Sequence, residues 1–337
     1  MYLYRSSWRF TLTVLGLSFC LFYSCERTGN QLSKSMLERS SKEESLVNIS
    51  EKLREHVYYL AETVGPRSTV KALTKVASYI ENELKNNGIE PAFQEFLVNG
   101  KSYKNIYLQI PGKNHKLPAV VIGAHYDSWK GTPGADDNAS GVAVLLELAK
   151  KLNSQQVERD IYLVFFTLEE PPHFRSDQMG SYQFAQMLKK KKTHLYFMAS
   201  LEMLGFYSEE KIQNYPDERM LKTYPAEGNF VAVISNPKSG TVTKSFFEIF
   251  KKNLTLDAQI LIAPDHVRGV DASDHLSFWR SGYPAFMITD TAFFRNKNYH
   301  RSGDTADTLN YTKMGEVVDG LYKTIIDITN MDSRNEQ

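Results

Sequence analysis

Apolar runs of strand length, each leading into a histidine or a carboxylate, constrain this chain more than any other feature. PAVVIGA (118–124) leads into His125, and IYLVFFTLEE (161–170) ends on Glu169 and Glu170. LYFMASLE (195–202) ends on Glu202, and YPAFMITD (283–290) precedes the loop NYHRSGDT (298–305), which carries His300. Asp136 follows the first run in the loop GTPGADDNASG (131–141). Such runs, bounded by turn residues, read as buried strands. Ligand-type residues at the carboxyl ends of several strands of an α/β sheet converge on one crevice.

The segments between these runs are helical in pattern. ASGVAVLLELAKKL (139–152), SDQMGSYQFAQMLKKK (176–191), TVTKSFFEIFKKN (241–253) and YTKMGEVVDGLYKTIIDITNM (311–331) space apolar residues three and four apart. Two further helices are expected over LVNISEKLREHVYYLAETV and about 69–87, divided by GPRS (65–68). FQEFLVNGKSYKNIYLQI alternates as a hairpin does, with Asn99-Gly100 at its turn. The βα alternation predicts an α/β fold: one domain over about 45–332, with a mixed, mostly parallel sheet between helices. The polar stretch 203–228 reads as a long loop beside the mouth of the crevice.

At 337 residues, with 42% hydrophobic and 23% charged residues, the chain can bury a substantial core. A formal net charge of +1 gives no electrostatic case for a nucleic-acid partner. Residues 1–24 read as a targeting segment: Arg5 and Arg9 precede an apolar stretch, Phe10 to Ser24, too short to span a bilayer comfortably. Ser24-Cys25 is similar to a bacterial lipoprotein cleavage box, which makes Cys25 a candidate for lipid attachment and the chain an exported, envelope-anchored protein; ordinary secretion and an uncleaved anchor are the alternatives. Cys20 and Cys25 are the two cysteines, so a chain cleaved before Cys25 forms no internal disulfide. Residues 25–44 are polar and read as a tether.

The candidate site residues have bland readings as well as chemical ones. In HYD (125–127), Asp127 falls on the same side of an extended segment as His125 and can fix its tautomer, although H-x-D pairs also occur by chance. In GADDNASG, two adjacent carboxylates at a helix start call for a cation or the helix terminus to neutralise them. We read Asp136 as the bridging metal ligand and Asp137 or Asn138 as the cap. In TLEEPP, one glutamate can bind a metal while its neighbour holds a proton, or both can be solvated. The conjunction of oxygen and nitrogen donors at strand ends, with a spare glutamate and no cysteine ligand, suits zinc.

Taken in order, H-x-D, D-D-N-x-S-G, E-E, an acidic residue and H-x-x-x-D-T resemble the M28 family of zinc peptidases over about 50–330, and SDHLSFWRSGYPAF (273–286) resembles a further stretch of that family. The resemblance implies two Zn2+ ions and peptide substrates. It implies His125 and Glu202 on one ion, Glu170 and His300 on the other, Asp136 bridging, Glu169 as general base and Asp127 supporting His125. It also implies an aminopeptidase; a carboxypeptidase or dipeptidase, a glutaminyl cyclase and a non-catalytic binding scaffold are the alternatives. Two departures stand out. Position 202 is Glu where the family commonly has Asp, and EEPPHFRSDQMGS is a longer passage than usual, bringing His173, Phe174 and Arg175 toward the mouth.

Overall fold

A computed structural model describes residues 43–331, with a compact unit that begins at Ile49. The expected targeting segment, Cys25 and residues 26–42 of the tether lie outside the described residues. Helix α1 (43–58) runs into a π-helical turn, Tyr59–Val64. Helix α2 (Val70–Asn86) starts where the Thr69 hydroxyl accepts from the Ala72 N–H at 3.2 Å. Strands β1 (Ala92–Val98) and β2 (Lys101–Ile110) form the expected hairpin. Its turn residues Asn99 and Gly100 have φ of 51° and 76°, the left-handed values a two-residue hairpin turn needs.

Strands β3 (Ala119–His125), β4 (Ile161–Phe166), β5 (Leu195–Glu202), β6 (Phe230–Ser235), β7 (Asp257–Ile262) and β8 (Ala285–Thr289) complete one eight-stranded sheet, ordered β1-β2-β4-β3-β5-β8-β6-β7. The central four, β4-β3-β5-β8, are mutually parallel. β2 is antiparallel to β4, and the β6–β7 pair is antiparallel to β8. The sheet is therefore mixed around a parallel centre, and four carboxyl ends share one edge.

Burial on both faces explains the continuous apolar runs. Val120, Ile122 and Ala124 of β3 join one core, while Ala119 and Val121 join another. In β4, Ile161, Leu163 and Phe165 face the first core, and Tyr162, Val164 and Phe166 face the second. Helices α3 (Gly141–Leu152), α5 (Gly240–Asn253) and α7 (Tyr311–Thr329) supply the first core together with α2; α4 (Gly180–Lys190) and α6 (His275–Arg280) supply the second. Period-two alternation between two apolar layers gives each central strand nothing to present to water until its end.

Several boundaries differ from those expected. β4 stops at Phe166, because Leu168 takes a left-handed φ of 60° and turns the chain before Glu169 and Glu170. Turns then occupy the segment up to Gly180, where α4 begins instead of at 176. α3 begins at Gly141 instead of 139, since Asp137 and Asn138 have non-helical backbone angles. No helix among the described residues is long and apolar enough to cross a membrane.

Candidate metal centre

The shared edge of the parallel strands gathers most of the expected side chains. His125, the last residue of β3, is 1% exposed, and its Nε2 lies 3.3 Å from Glu202 Oε2 at the end of β5. The same nitrogen lies 3.5 Å from Asp137 Oδ1 and 3.9 Å from Glu169 Oε2. The other carboxylate oxygen of Asp137 lies 3.0 Å from His300 Nε2, which is 3.6 Å from Glu170 Oε2. Two triads result, His125–Asp137–Glu202 and Asp137–Glu170–His300, each with ligand atoms close enough to hold one ion. Asp137 belongs to both, one oxygen toward each histidine.

Asp136 does not join them, which corrects the reading of Asp136 as the bridging residue. Adjacent residues of a tight turn project to different sides, and here Asp136 points into the protein. Its Oδ1 accepts from the Gly205 N–H at 2.9 Å and its Oδ2 from the Asn296 amide at 2.8 Å, with Asp290 as a further neighbour. Burial and the neighbouring Asp290 hold its carboxyl well above the usual range. The cap expected of Asp137 or Asn138 falls to Asn138, whose Oδ1 accepts from the Gly141 and Met203 N–H groups while its amide donates to the Leu201 carbonyl.

Asp127 stands behind the centre and not in it. Its Oδ1 lies 3.4 Å from His125 Nδ1. The same carboxylate accepts from the backbone N–H of Glu169 at 3.1 Å and of Glu170 at 2.9 Å. One side chain thus positions a histidine from β3 and the glutamate pair that follows β4. Ser273 donates to Glu202 Oε2 at 2.6 Å and is itself paired with Ser200.

Further supports escaped the sequence reading. Asp304 of the NYHRSGDT loop accepts from the N–H groups of Asp136 and Asp137 at 2.8 and 3.2 Å, tying the His300 loop to the Asp137 turn. Arg67, from GPRS, is fully buried and donates to the carbonyls of Leu60, Tyr126, Pro133 and Gly134. Its guanidinium lies in the field of Asp304, Asp137, Asp127 and Glu170. The conspicuous signal for Arg67 was an arginine inside a Gly-Pro break. Nothing local marks such a residue as buried. His173, Phe174 and Arg175 sit on the turns after Glu170; Arg175 pairs with Asp271, and His173 pairs with Gln178.

The electrostatics call for cations. Asp137, Glu169, Glu170 and Glu202 are all buried around two imidazoles. Burial raises Glu169, Glu170 and Glu202 above the usual carboxylate range; His125 opposes the rise, and the neighbouring carboxylates, Asp137 among them, add to it. Burial opposes charge on His125, yet Glu202 and Glu169 outweigh it and lift the imidazole well above its ordinary value. Burial likewise opposes charge on Asp137, but the His125 and His300 imidazoles on either side hold it well below the ordinary range. Both ring nitrogens of His125, and Glu170 Oε1, are buried without a hydrogen-bond partner among the described residues. Orphaned donors of this type, with imidazole and carboxylate chemistry, fit zinc.

The chain is similar to known proteins in sequence and in fold. The profile of peptidase family M28 matches residues 105–325. Uncharacterized protein YfbL of Escherichia coli (strain K12) is 42% identical over 282 residues, 80% of this chain and 86% of that protein. A probable leucine aminopeptidase of Arthroderma otae is 24% identical over 299 residues, 85% of this chain and 72% of that one. Among solved structures, the zinc aminopeptidase BSAP from Bacillus subtilis superposes with a TM-score of 0.66 at 16% identity, over 83% of this chain and 95% of that one.

Two predictions follow from the site's geometry and charge. Asp137→Asn should lose most of the bound zinc. Asp136→Asn should keep it, because Asp136 belongs to neither triad and its oxygens accept from Gly205 and Asn296; metal analysis of the two purified variants decides, and equal zinc loss would return Asp136 to the site. The second concerns pH in chelator-treated protein. Burial pushes Asp304 to about 8, Asp274 to about 7 and Asp290 to about 6, and raises Glu169, Glu170 and Glu202 as well. The folded state then binds more protons than the unfolded one between about pH 4 and 8, so stability falls as pH rises through that window. Buried His275, lowered to about 4, opposes this trend in the acid half of the window but is one group against six, and the depressed carboxyl of Asp137 works oppositely only below the window. Zinc needs deprotonated ligands, so its stabilising effect should grow toward pH 8. Thermal melts at pH 5 and pH 8, with and without chelator, test this; a stripped protein more stable at pH 8 than at pH 5 would refute it.

Proposed function

Because this chain belongs to peptidase family M28 and is a metallopeptidase, we propose that it is a two-zinc aminopeptidase that removes large apolar residues from the amino termini of peptides. The observation that carries this reading is the pair of triads joined at Asp137, with Glu202 on the wall of a pocket lined mainly by apolar side chains. Tyr215, Tyr224, Phe230, Val270, Met287 and Phe293 also line that cavity. The expected loop 203–228 contributes Tyr215 and Tyr224 to it. A side chain entering the cavity would bring its own α-amine toward Glu202 and Glu169, whose carboxylates suit a free ammonium group.

His125 and Glu202 would hold one ion, Glu170 and His300 the other, with Asp137 between them. Zinc bound there would supply Lewis acidity to the attacking water and to the scissile carbonyl. Glu169 is the general base: its Oε2 lies on the cluster side, 3.9 Å from His125 Nε2. It takes a proton from water as the oxygen attacks the carbonyl carbon, then delivers that proton to the departing nitrogen as the C–N bond breaks. Asp127 keeps Glu169 and Glu170 in place through their amides and orients His125.

A carboxypeptidase would need a cation aimed at the substrate carboxylate. Arg175 is taken up by Asp271 and Arg280 by Asp177, while Arg295 is bonded to Gln213 and to the Phe206 and Phe230 carbonyls. Arg268, with its guanidinium over Phe293 and Phe294, lines the same cavity, so the choice between the two termini of a peptide falls to the substrate test.

Glu169→Gln should leave the fold and zinc content intact while reducing kcat by about 10²-fold or more. Aminoacyl anilides with large apolar side chains should be cleaved in a chelator-sensitive manner, and their N-acetylated counterparts should not. Cleavage that depends on a free carboxyl terminus, or near-normal turnover by Glu169→Gln, would overturn the proposal.

We further propose that the chain is exported and lipid-anchored through Cys25, on the strength of the charged and apolar residues that precede Ser24-Cys25. Labelled palmitate should enter the full-length chain in a bacterial host and not its Cys25→Ser variant; equal labelling of the two would exclude this anchor.

A further inference from the structure

The two candidate histidine ligands are held in different ways. Behind His125 stands Asp127, and the ring is 1% exposed. His300 is 21% exposed at its side chain, and both its carboxylate neighbours approach Nε2. Among the described residues no carboxylate stands behind its Nδ1. Its backbone sits at a left-handed φ of 57°, on the loop that joins β8 to α7. The imidazole has two aromatic neighbours instead. Trp129 stacks on it with centroids 4.0 Å apart and planes 20° apart. Tyr299 stacks at 3.7 Å and 19°. Two near-parallel rings at such distances must occupy opposite faces, since one face has no room for both.

We propose that Trp129 is a positioning residue for the Asp137–Glu170–His300 ion: with Tyr299 it clamps the His300 ring in the plane from which Nε2 meets that ion. This rests on the two-ion reading above. Ring stacking restricts tilting of an imidazole about its side-chain bonds without consuming either nitrogen. It does for His300 what the Asp127 carboxylate, 3.4 Å from Nδ1, does for His125. Trp129 is itself fixed by its backbone. Thr132 donates to the Trp129 carbonyl from both its N–H (3.1 Å) and its hydroxyl (2.9 Å), and the preceding Ser128 hydroxyl accepts from the N–H of buried Arg67 at 3.0 Å. The chain leaving β3 thus returns to cover a ligand presented from beyond β8, with one face of the tryptophan on His300.

The test is calorimetric titration of chelator-stripped full-length protein with Zn2+, comparing wild type, Trp129→Leu and Trp129→Phe. Wild type and Trp129→Phe should take up two ions. Trp129→Leu keeps an apolar side chain without a ring face. It should weaken one ion by about tenfold or more and leave the other unchanged. Its kcat should fall at limiting zinc and recover with excess zinc, while KM stays as in wild type. Two ions bound by Trp129→Leu with wild-type affinity would overturn the clamp. A raised KM with zinc binding intact would also overturn it, making Trp129 a platform for substrate. If Trp129→Leu does not fold, Trp129→Met carries the same comparison. A wild-type protein that binds one ion would instead reject the two-ion reading, and the clamp would fall with it.

Discussion

The sharing of one carboxylate between two imidazoles organises this protein. Asp137 lies 3.5 Å from one histidine nitrogen and 3.0 Å from the other, and the remaining carboxylates of the centre flank those two rings. At an effective dielectric of about 20, unit charges about 4 Å apart interact by about 4 kcal/mol, while desolvating each buried ion costs several kcal/mol. Two imidazoles, even fully charged, cannot offset four carboxylates on those terms. The centre must hold protons or cations. Its direct contacts are matched by an outer layer whose purpose is geometric: Asp304 on two amides of the Asp137 turn, Asp127 on two amides after β4, and Asn138 on the end of β5.

Much of this was legible in the sequence because the physics is periodic. A central strand that alternates between two apolar cores must read as an unbroken apolar run, and the first polar residue after it must lie at the sheet's edge. His125 and Glu202 were found for that reason. The choice between Asp136 and Asp137 was not legible. It depends on the backbone angles of a single turn, with Asp137 at φ −103°, ψ 90° and Asn138 at φ −130°, ψ 42°. Neighbouring carboxylates in such a turn exchange roles with a rotation that leaves no trace in residue type. The β6–β7 pair escaped for another reason. Its antiparallel attachment to β8 depends on long-range pairing, which local pattern does not encode.

Arg67 shows how far the site's support extends from the site. It bridges the residues after α1, the end of β3 and the loop before Asp136, through carbonyls alone. Burial lowers its guanidinium to about 10, and the surrounding carboxylates oppose that drop. A permanently charged group placed behind four acidic residues offsets part of their repulsion without competing for an ion, because its donors are occupied by carbonyl oxygens. The local sequence around it, Gly-Pro-Arg-Ser, carried only the message that a helix ends there.

Glu202 completes the argument about reach. Glutamate at the end of β5 extends one methylene further than aspartate would, and an unrestrained longer arm loses more rotamer freedom on binding an ion. Here the arm is restrained before any ion arrives. Ser273 donates to its Oε2, Ser200 of the same strand pairs with Ser273, and Met203 turns the chain away at a left-handed φ of 47°. Ser200 and Glu202 lie two residues apart on one strand and so face the same side of the sheet, which lets one serine brace the partner of the other. The S-D-H segment between β7 and β8 thereby fixes the position of a carboxylate on β5, and the extra methylene is absorbed by a hydroxyl pair instead of being left to the ion.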